Sequence, residues 1–514
     1  MIRLLNQKND KIFMGKSKLI SITGIGTTTL LGLVSCNSGE KQMKNISENL
    51  PNIIFIMADD MGYGDLSCLN DNSKILTRNM DRIANEGIIF SDAHTPSAVS
   101  TPTRYGVLTG RYSFRTRLKS GVLVGHSKSL IEPGRETVAS LLKKSDYITA
   151  CIGKWHLGLD WQKIDSDKKL FEGNDWDISN TSNVDYNAVI HGGPTDHGFD
   201  YSYIIPASLD IAPYCYISNK KIVSPISGHT PDYRKERGVW WRHGDISAGF
   251  KHEEVMDMIT DQAVGFINSC SEKEKEKPFF LYFPLTAPHT PWLPTNDVNG
   301  TSEAGVYGDF VMKVDQTVGR ILKALDDNKI SENTLIIVTS DNGSDWTRED
   351  IEMWNHRANY LYRGRKSDVW EGGHRTPFVA RWPKVISAGS KSDQVICLTD
   401  LFATCLAITG REVNNNSGED SFNILPEFIS QNNKENIHPS IIHHSISGMF
   451  SIRKGKWKFI DGKGSGGWSS NGENELSPGQ LYDMENDFEE KNNLYDKYPE
   501  IVNELKKELE LIKS

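Results

Sequence analysis

The chain has 514 residues, 38% of them apolar and 24% charged, with a formal net charge of −9. That length is too great for one small core and predicts a large domain with a smaller companion. The acidic balance argues against nucleic acid as the main partner, yet leaves room for an anionic substrate held in a local cationic pocket.

The chain opens with Lys11, Lys16 and Lys18, followed by an apolar run from Leu19 to Val34 that ends in Leu33-Val34-Ser35-Cys36. The run is too short and too rich in Gly and Thr for a comfortable membrane span. Residues 1–36 read as a bacterial lipoprotein signal, cleaved before Cys36 and lipidated on that cysteine, with an ordinary secretory signal as the alternative. The first 13 residues read as an over-long start, with Met14 a plausible true initiator. Both readings place the mature protein outside the cytoplasm. Residues 37–50 are polar and read as a tether. The other cysteines, Cys68, Cys151, Cys215, Cys270, Cys397 and Cys405, form no CxxC or Cys/His metal pattern and are expected as buried thiols.

The run Asn52 to Ala58 is continuously apolar and of strand length, which suits a parallel strand buried on both faces. It ends at the paired carboxylates Asp59 and Asp60. Residues 78–86 read as a short helix and Gly87 to Phe90 as a strand. The stretch Pro96 to Arg111 reads as a loop dropping into a helix. Pro102 suits a first turn, Ser100 and Thr101 are capping candidates, and Arg104 lies one turn on. A hydroxyl is thereby placed at the positive end of a helix, where an anion is best held.

Next come a helix from Thr137 to Lys144 and a strand from Tyr147 to Ile152, which runs into Gly153-Lys154-Trp155-His156. Residues 160–250 read as long loops over the sheet edge. Residues 252–270 read as a helix. The strand Pro278 to Phe283 leads to Ala287-Pro288-His289. In 308–327, Val311, Val314, Val318, Ile321, Leu322 and Leu325 share one helical stripe. The strand Thr334 to Ser340 ends at Asp341-Asn342-Gly343. This alternation predicts an α/β fold, a large, mainly parallel mixed sheet sandwiched by helices, over 51–414. After Gly410 the composition turns rich in Asn and Ser. A hairpin at Phe450 to Ile460 and an amphipathic helix from Pro499 predict a smaller C-terminal α+β subdomain over 415–514.

Asp59/Asp60 and Asp341/Asn342 each follow a buried strand. If those strands are neighbours, four oxygen ligands converge, which suits Ca²⁺ and, less well, Mg²⁺. Near them the sequence offers Ser100, Arg104, Lys154, His156, His289 and Lys366. Transfer of a tetrahedral oxyanion needs such a set: a metal and fixed cations for charge, a nucleophile and an imidazole to protonate the leaving group.

The motifs Ala58-Asp59-Asp60-Met61-Gly62-Tyr63-Gly64-Asp65, Ser100-Thr101-Pro102-Thr103-Arg104 with Leu108-Thr109-Gly110-Arg111, Gly153-Lys154-Trp155-His156-Leu157-Gly158, Ala287-Pro288-His289-Thr290-Pro291, Ser340-Asp341-Asn342-Gly343 and Trp370-Glu371-Gly372-Gly373 carry a resemblance. Together they resemble the type I, formylglycine-dependent sulfatases of the alkaline phosphatase superfamily, here of a bacterial serine type acting on carbohydrates. The resemblance implies that Ser100 becomes formylglycine (3-oxoalanine) through a radical-dependent, oxygen-independent maturase, and that its hydrate attacks sulfur. It implies Ca²⁺ on Asp59, Asp60, Asp341, Asn342 and the modified Ser100. It further implies Arg104 on the hydrate, Lys154 and Lys366 on the sulfate, His156 at hydrate collapse and His289 as the acid for the leaving sugar. The chain departs from the family at Thr77-Arg78-Asn79 and at Arg365, where glycine is frequent. The resemblance points to an exo-acting sulfatase for galactose or N-acetylgalactosamine sulfate, with His191, His356, Arg357, Asn359 and His374 as sugar contacts. It implies an exported, periplasmic or cell-surface lipoprotein of an anaerobic Gram-negative bacterium. A phosphoester hydrolase of the same superfamily and a non-catalytic glycan-binding lipoprotein are the competing readings.

Overall fold

The computed structural model describes residues 44–170, 183–273, 277–412, 417–430, 435–469 and 476–514. Residues 1–36 with Cys36, and the first half of the tether, lie outside them. The strands of the large sheet are β1 (Asn52–Asp59), β2 (Ile88–Phe90), β3 (Ile148–Lys154), β4 (Tyr201–Ile205), β5 (Ile217–Ser218), β6 (Lys221–Ile222), β7 (Phe279–Pro288), β8 (Thr334–Ser340), β9 (Phe378–Arg381) and β10 (Ser390–Ser392). Their order is β10-β2-β9-β8-β1-β7-β3-β4-β5-β6. The central pairs β8-β1, β1-β7, β7-β3 and β3-β4 are parallel. Strand β9 and the short β5 and β6 run antiparallel to their neighbours.

The unbroken apolar runs follow from burial on both faces. In β1, Ile53, Phe55 and Met57 enter one core cluster while Ile54, Ile56 and Ala58 enter the other. In β8, Leu335 and Ile337 part from Ile336 and Val338 in the same way. Alternation of side chains across a strand makes this inevitable. Helices α1 (Arg78–Asn85), α4 (Val255–Lys273) and α5 (Gly305–Asp327) cover one face. Helices α2 (Ser100–Thr109), α3 (Val138–Lys143) and α7 (Leu401–Thr409) cover the other, and α6 (Glu371–His374) lies between β8 and β9 in the chain.

Residues 160–250 are not only loops. They carry β4, which extends the main sheet, and two small ribbons that pair 226–230 with 244–247 and 233–236 with 239–241. The strands are short and those of the ribbons largely exposed, so they leave little hydrophobic pattern in the sequence. The C-terminal part forms an antiparallel sheet, β11 (Ile441–His444), β12 (Phe450–Lys454), β13 (Trp457–Ile460) and β14 (Gln480–Asp483), covered by α8 (Pro499–Lys513). Val502, Leu505 and Leu509 of α8 bury against Ile442, Ile452, Phe459 and Leu481. The six cysteines of the folded part are free thiols, five of them buried.

Candidate active site

Parallel strands deliver their carboxyl ends to one edge, and that edge collects the polar motifs. Ala58 pairs with Ser340 and Asp59 with Pro288, which brings Asp59/Asp60, Asp341/Asn342 and His289 side by side. Lys154 ends β3. Asp60 and His156 both adopt left-handed backbone, with φ of 67° and 54°. Such strain in non-glycine residues persists only where surrounding structure fixes it.

Ser100 is the first residue of α2, not its cap. Val99 occupies the cap position in extended conformation, and no side chain caps the helix. The Ser100 hydroxyl is thereby free to turn into the site. It donates to Asp59 Oδ1 at 3.2 Å and accepts from Lys154 Nζ at 3.3 Å. Lys154 also grips Asp59 Oδ2 at 2.6 Å. Arg104 reaches Asp341 Oδ2 at 2.6 Å, the Lys154 carbonyl at 3.2 Å and Asp59 Oδ1 at 3.3 Å. Lys366 donates to Asp60 Oδ2 at 2.8 Å, and Asn342 Nδ2 to Asp60 Oδ1 at 2.7 Å. Asp59, Arg104, Lys154, Asp341 and Asn342 have no exposure at all.

Three carboxylates are thus balanced by three cations, and their protonation reflects the balance. Burial works against the Asp59 charge, yet Lys154, Arg104 and Lys366 hold its carboxyl below the ordinary aspartate range. Asp60 is pushed above that range by burial and by the neighbouring Asp59 and Asp341, despite Lys366 and His289. Burial, with Lys366 and Lys154 beside it, pushes His289 down to about 4. Its Nε2 stands 3.8 Å from Asp60, and its Nδ1 lies 3.1 Å from Ser208 Oγ and 3.8 Å from Asp210 Oδ1. His156 sits 2.7 Å from the Leu123 carbonyl through Nε2, so Nε2 carries the proton and the unbonded Nδ1 is an acceptor.

Asp60, Ser100, His156, His289 and Lys366 line one end of a cavity of about 410 Å³. The five residues expected at the sugar do not line it. His356 is buried on Asp65 at 2.8 Å, and Asn359 holds both backbone groups of Ser344. Arg357 is an exposed turn residue, and His191 is half-exposed beside Asp196. The cavity wall is instead built by Ser208, Asp210, Trp240, Arg242, Asp345 and Trp468, among others. Sequence reasoning touched the stretch Pro206 to Asp210 but missed Trp240, Arg242, Asp345 and Trp468. Only the pairing of exposed Trp with nearby Arg could have flagged them.

His374 belongs to a buried network between the two parts of the fold. Its Nδ1 meets His94 Nδ1 at 3.0 Å, and His94 Nε2 meets Asp92 Oδ1 at 2.6 Å. Lys458 of β13 lies 3.0 Å from His374 Nε2 and 2.9 Å from Glu371. His443 of β11 stacks on His374 with ring centres 3.9 Å apart. One β11 residue on, the His444 carbonyl accepts from the Ala98 amide at 3.0 Å, two residues before Ser100.

Comparison with known proteins decides what this edge belongs to. The Sulfatase family model matches residues 51–411, and the model for the C-terminal part of N-sulphoglucosamine sulphohydrolase matches 365–514. The chain belongs to the formylglycine-dependent sulfatase family. It is 31% identical to an N-acetylgalactosamine-6-O-sulfatase of Bacteroides thetaiotaomicron, over 94% of this chain and 97% of that protein. It is 29% identical to human N-acetylgalactosamine-6-sulfatase, over 74% and 66%. A solved B. thetaiotaomicron sulfatase from work on glycosaminoglycan metabolism aligns with a TM-score of 0.76 and 31% identity, covering 90% of this chain and 99% of that one. A protein crystallised with a neocarrahexaose aligns at 0.67 and 25%, over 90% and 92%. This sulfatase is therefore a sulfuric ester hydrolase of alkaline phosphatase-like fold.

Proposed function

We propose that this sulfatase removes 6-O-sulfate from terminal galactose or N-acetylgalactosamine, using formylglycine made from Ser100 and a divalent cation. The observation that carries the chemistry is the placement of the Ser100 hydroxyl between Asp59 and Lys154 in the wall of a cavity of about 410 Å³. The sugar is supported by the relatives of N-acetylgalactosamine-6-sulfatase type.

The donor set fits a hard cation: three carboxylates and the Asn342 amide, whose Oδ1 is buried without a hydrogen bond. Asp59, Asp60, Asp341, Asn342 and the modified Ser100 would hold it, and Ca²⁺ suits their number better than Mg²⁺. When bound, the cation supplies Lewis-acid stabilisation of the sulfate and nucleophile oxygens.

This chain's own residues do the rest. Lys154 and Lys366 bind sulfate oxygens, and Arg104 fixes the hydrated aldehyde. The hydrated aldehyde would supply one hydroxyl to attack sulfur, its proton passing to Asp59 Oδ1, which already accepts from Ser100 Oγ, as the bond from sulfur to the sugar oxygen breaks. That oxygen takes a proton from His289 Nε2. The site's anion favours the charged imidazole that burial otherwise opposes. His156 Nδ1, the open acceptor, is placed to take the proton of the second hydroxyl, which would break the carbon–oxygen bond to sulfate and restore the aldehyde. The same reading takes the mature protein as an anaerobic bacterium's lipoprotein, matured by a radical serine-type enzyme and anchored through Cys36.

The test is expression with a serine-type maturase. The Ser100 peptide should lose two hydrogens in mass, and the enzyme should free sulfate from 6-sulfated N-acetylgalactosamine. Ser100→Ala should lower turnover by about 10³-fold or more. Chelation should remove activity and Ca²⁺ restore it. A Ser100→Ala enzyme that turns over at the normal rate would sink the reading.

A further inference from the structure

The catalytic groups occupy only one end of the cavity. Its remaining wall includes two tryptophans, each with an arginine and an aspartate beside it. Arg242 lies 4.9 Å over Trp240 and binds Asp210. Arg365 lies 5.9 Å over Trp468 and binds Asp345. The Lys366 ammonium is also 5.9 Å from the Trp468 ring.

Trp468 comes from the loop between β13 and β14, in the C-terminal subdomain. It is 47% exposed, a costly place for an indole with no ligand. It is nevertheless held in place, because its amide donates to Ser367 Oγ at 2.9 Å, next to Lys366 in the chain. Asp210 is the complementary feature. It is 4% exposed and lines the cavity, and while Arg242 takes Oδ2, Oδ1 makes no hydrogen bond of ordinary geometry. A buried carboxylate oxygen left open toward a cavity is an acceptor waiting for a donor.

A pyranose matches this pair of walls. It offers a face of C–H groups to an aromatic ring and a rim of hydroxyl donors to a carboxylate. The separation of the two groups from the chemistry also fits. Asp210 Oδ1 stands 3.8 Å from Nδ1 of the imidazole whose Nε2 serves the ester oxygen. A hydroxyl bonded to Oδ1, at about 2.7 Å, therefore shares with the ester oxygen the side of the cavity that His289 serves. In a 6-sulfated hexose the hydroxyl nearest the ester oxygen is the one on C4, and its direction distinguishes galacto from gluco sugars.

Resting on the sulfatase reading above, we infer that Trp468 is the platform for the sulfated sugar and that Asp210 reads its axial 4-hydroxyl. The C-terminal subdomain thereby takes a direct part in substrate choice.

The test uses full-length, matured enzyme on 6-sulfated N-acetylgalactosamine and its gluco epimer, 6-sulfated N-acetylglucosamine. Trp468→Ala should raise KM about 10-fold with a smaller change in kcat, and Trp468→Phe should recover most of the loss. Asp210→Asn should lower kcat/KM on the galacto sugar about 10–100-fold and shrink the galacto-to-gluco ratio. A residue that only shapes His289 or the fold would lower both epimers alike, and that result overturns the assignment. Calorimetric titration with the 6-sulfated sugar separates the two levels of the proposal. Binding that weakens in Trp468→Ala supports the subsite even if no sulfate is released, an outcome that defeats the hydrolase reading alone. Equal binding by wild type and Trp468→Ala overturns the subsite.

Discussion

At the residue scale, the site is a lattice of buried opposite charges in which no member stands alone. Lys154 and Asp59 are wholly buried and 2.6 Å apart. Removing one partner leaves a bare charge in a medium that cannot solvate it, which costs about 3–5 kcal/mol. Lys154→Ala should therefore lose both activity and stability, read as a fall of that size in urea denaturation. An unchanged midpoint would show that Asp59 finds another counter-charge. Most of this lattice was legible in the sequence because polar residues directly after buried apolar runs are costly unless something binds there. Asp59, Asp60, Lys154, His289, Asp341 and Asn342 all announced themselves in that way. The sugar-facing residues did not. His356 and His374 look like site histidines, yet they are consumed by Asp65 and by the His94–Lys458 network. Burial with a partner leaves no mark in a single sequence.

At the scale of elements, two short motifs interlock. A Cβ on Gly343 would lie 1.8 Å from the Gly372 carbonyl, and the Gly343 amide bonds the Gly373 carbonyl at 2.9 Å. The segment after β8 and helix α6 thus touch backbone to backbone, which only glycine permits. Gly343→Ala must push Asp341 and Asn342 away from Asp60. We expect a loss of about 1–3 kcal/mol from overpacking and a matching loss of cation-dependent stabilisation, measured as the shift in thermal midpoint on adding Ca²⁺. An unaltered shift would mean that the segment moves without disturbing its ligands. The central strands and the long helices were readable from periodicity. Strand β4 and the two ribbons of 226–247 were not, because their pairing is set by distant partners and not by their own pattern.

At the scale of the molecule, the histidine network joins the C-terminal sheet to the catalytic domain. Burial is the main cause that lowers the pKa of His94, and it drops His374 and His443 well below the usual histidine value. Asp92, Glu371 and Glu490 face them with Lys458, Arg375 and Arg453. The sign follows from linkage. These imidazoles bind fewer protons folded than unfolded, so stability is full above the unfolded value, near 6.5, and declines as pH falls below it. His374 and His443, displaced furthest, each contribute up to about 1.4 kcal/mol per pH unit there, and Glu490, pushed up to about 7 by burial, works against them. The thermal midpoint should drop steeply between pH 6.5 and 5, and His443→Phe should flatten the curve by preserving the stack without a titrating group. Superimposed curves would assign the acid sensitivity elsewhere.

The seam also has a consequence in time. Ser100 is 2% exposed, so the maturase proposed above would have to reach it before its surroundings close. One of those surroundings is the His444 carbonyl on the Ala98 amide. That bond waits for a residue made 344 positions after Ser100 (444 minus 100). At 5–20 residues per second the interval is roughly 20–70 s. The order of synthesis therefore leaves that contact unmade long after the serine has left the ribosome. A circular permutant that places β11 ahead of β1 would shorten that interval and should yield less modified protein.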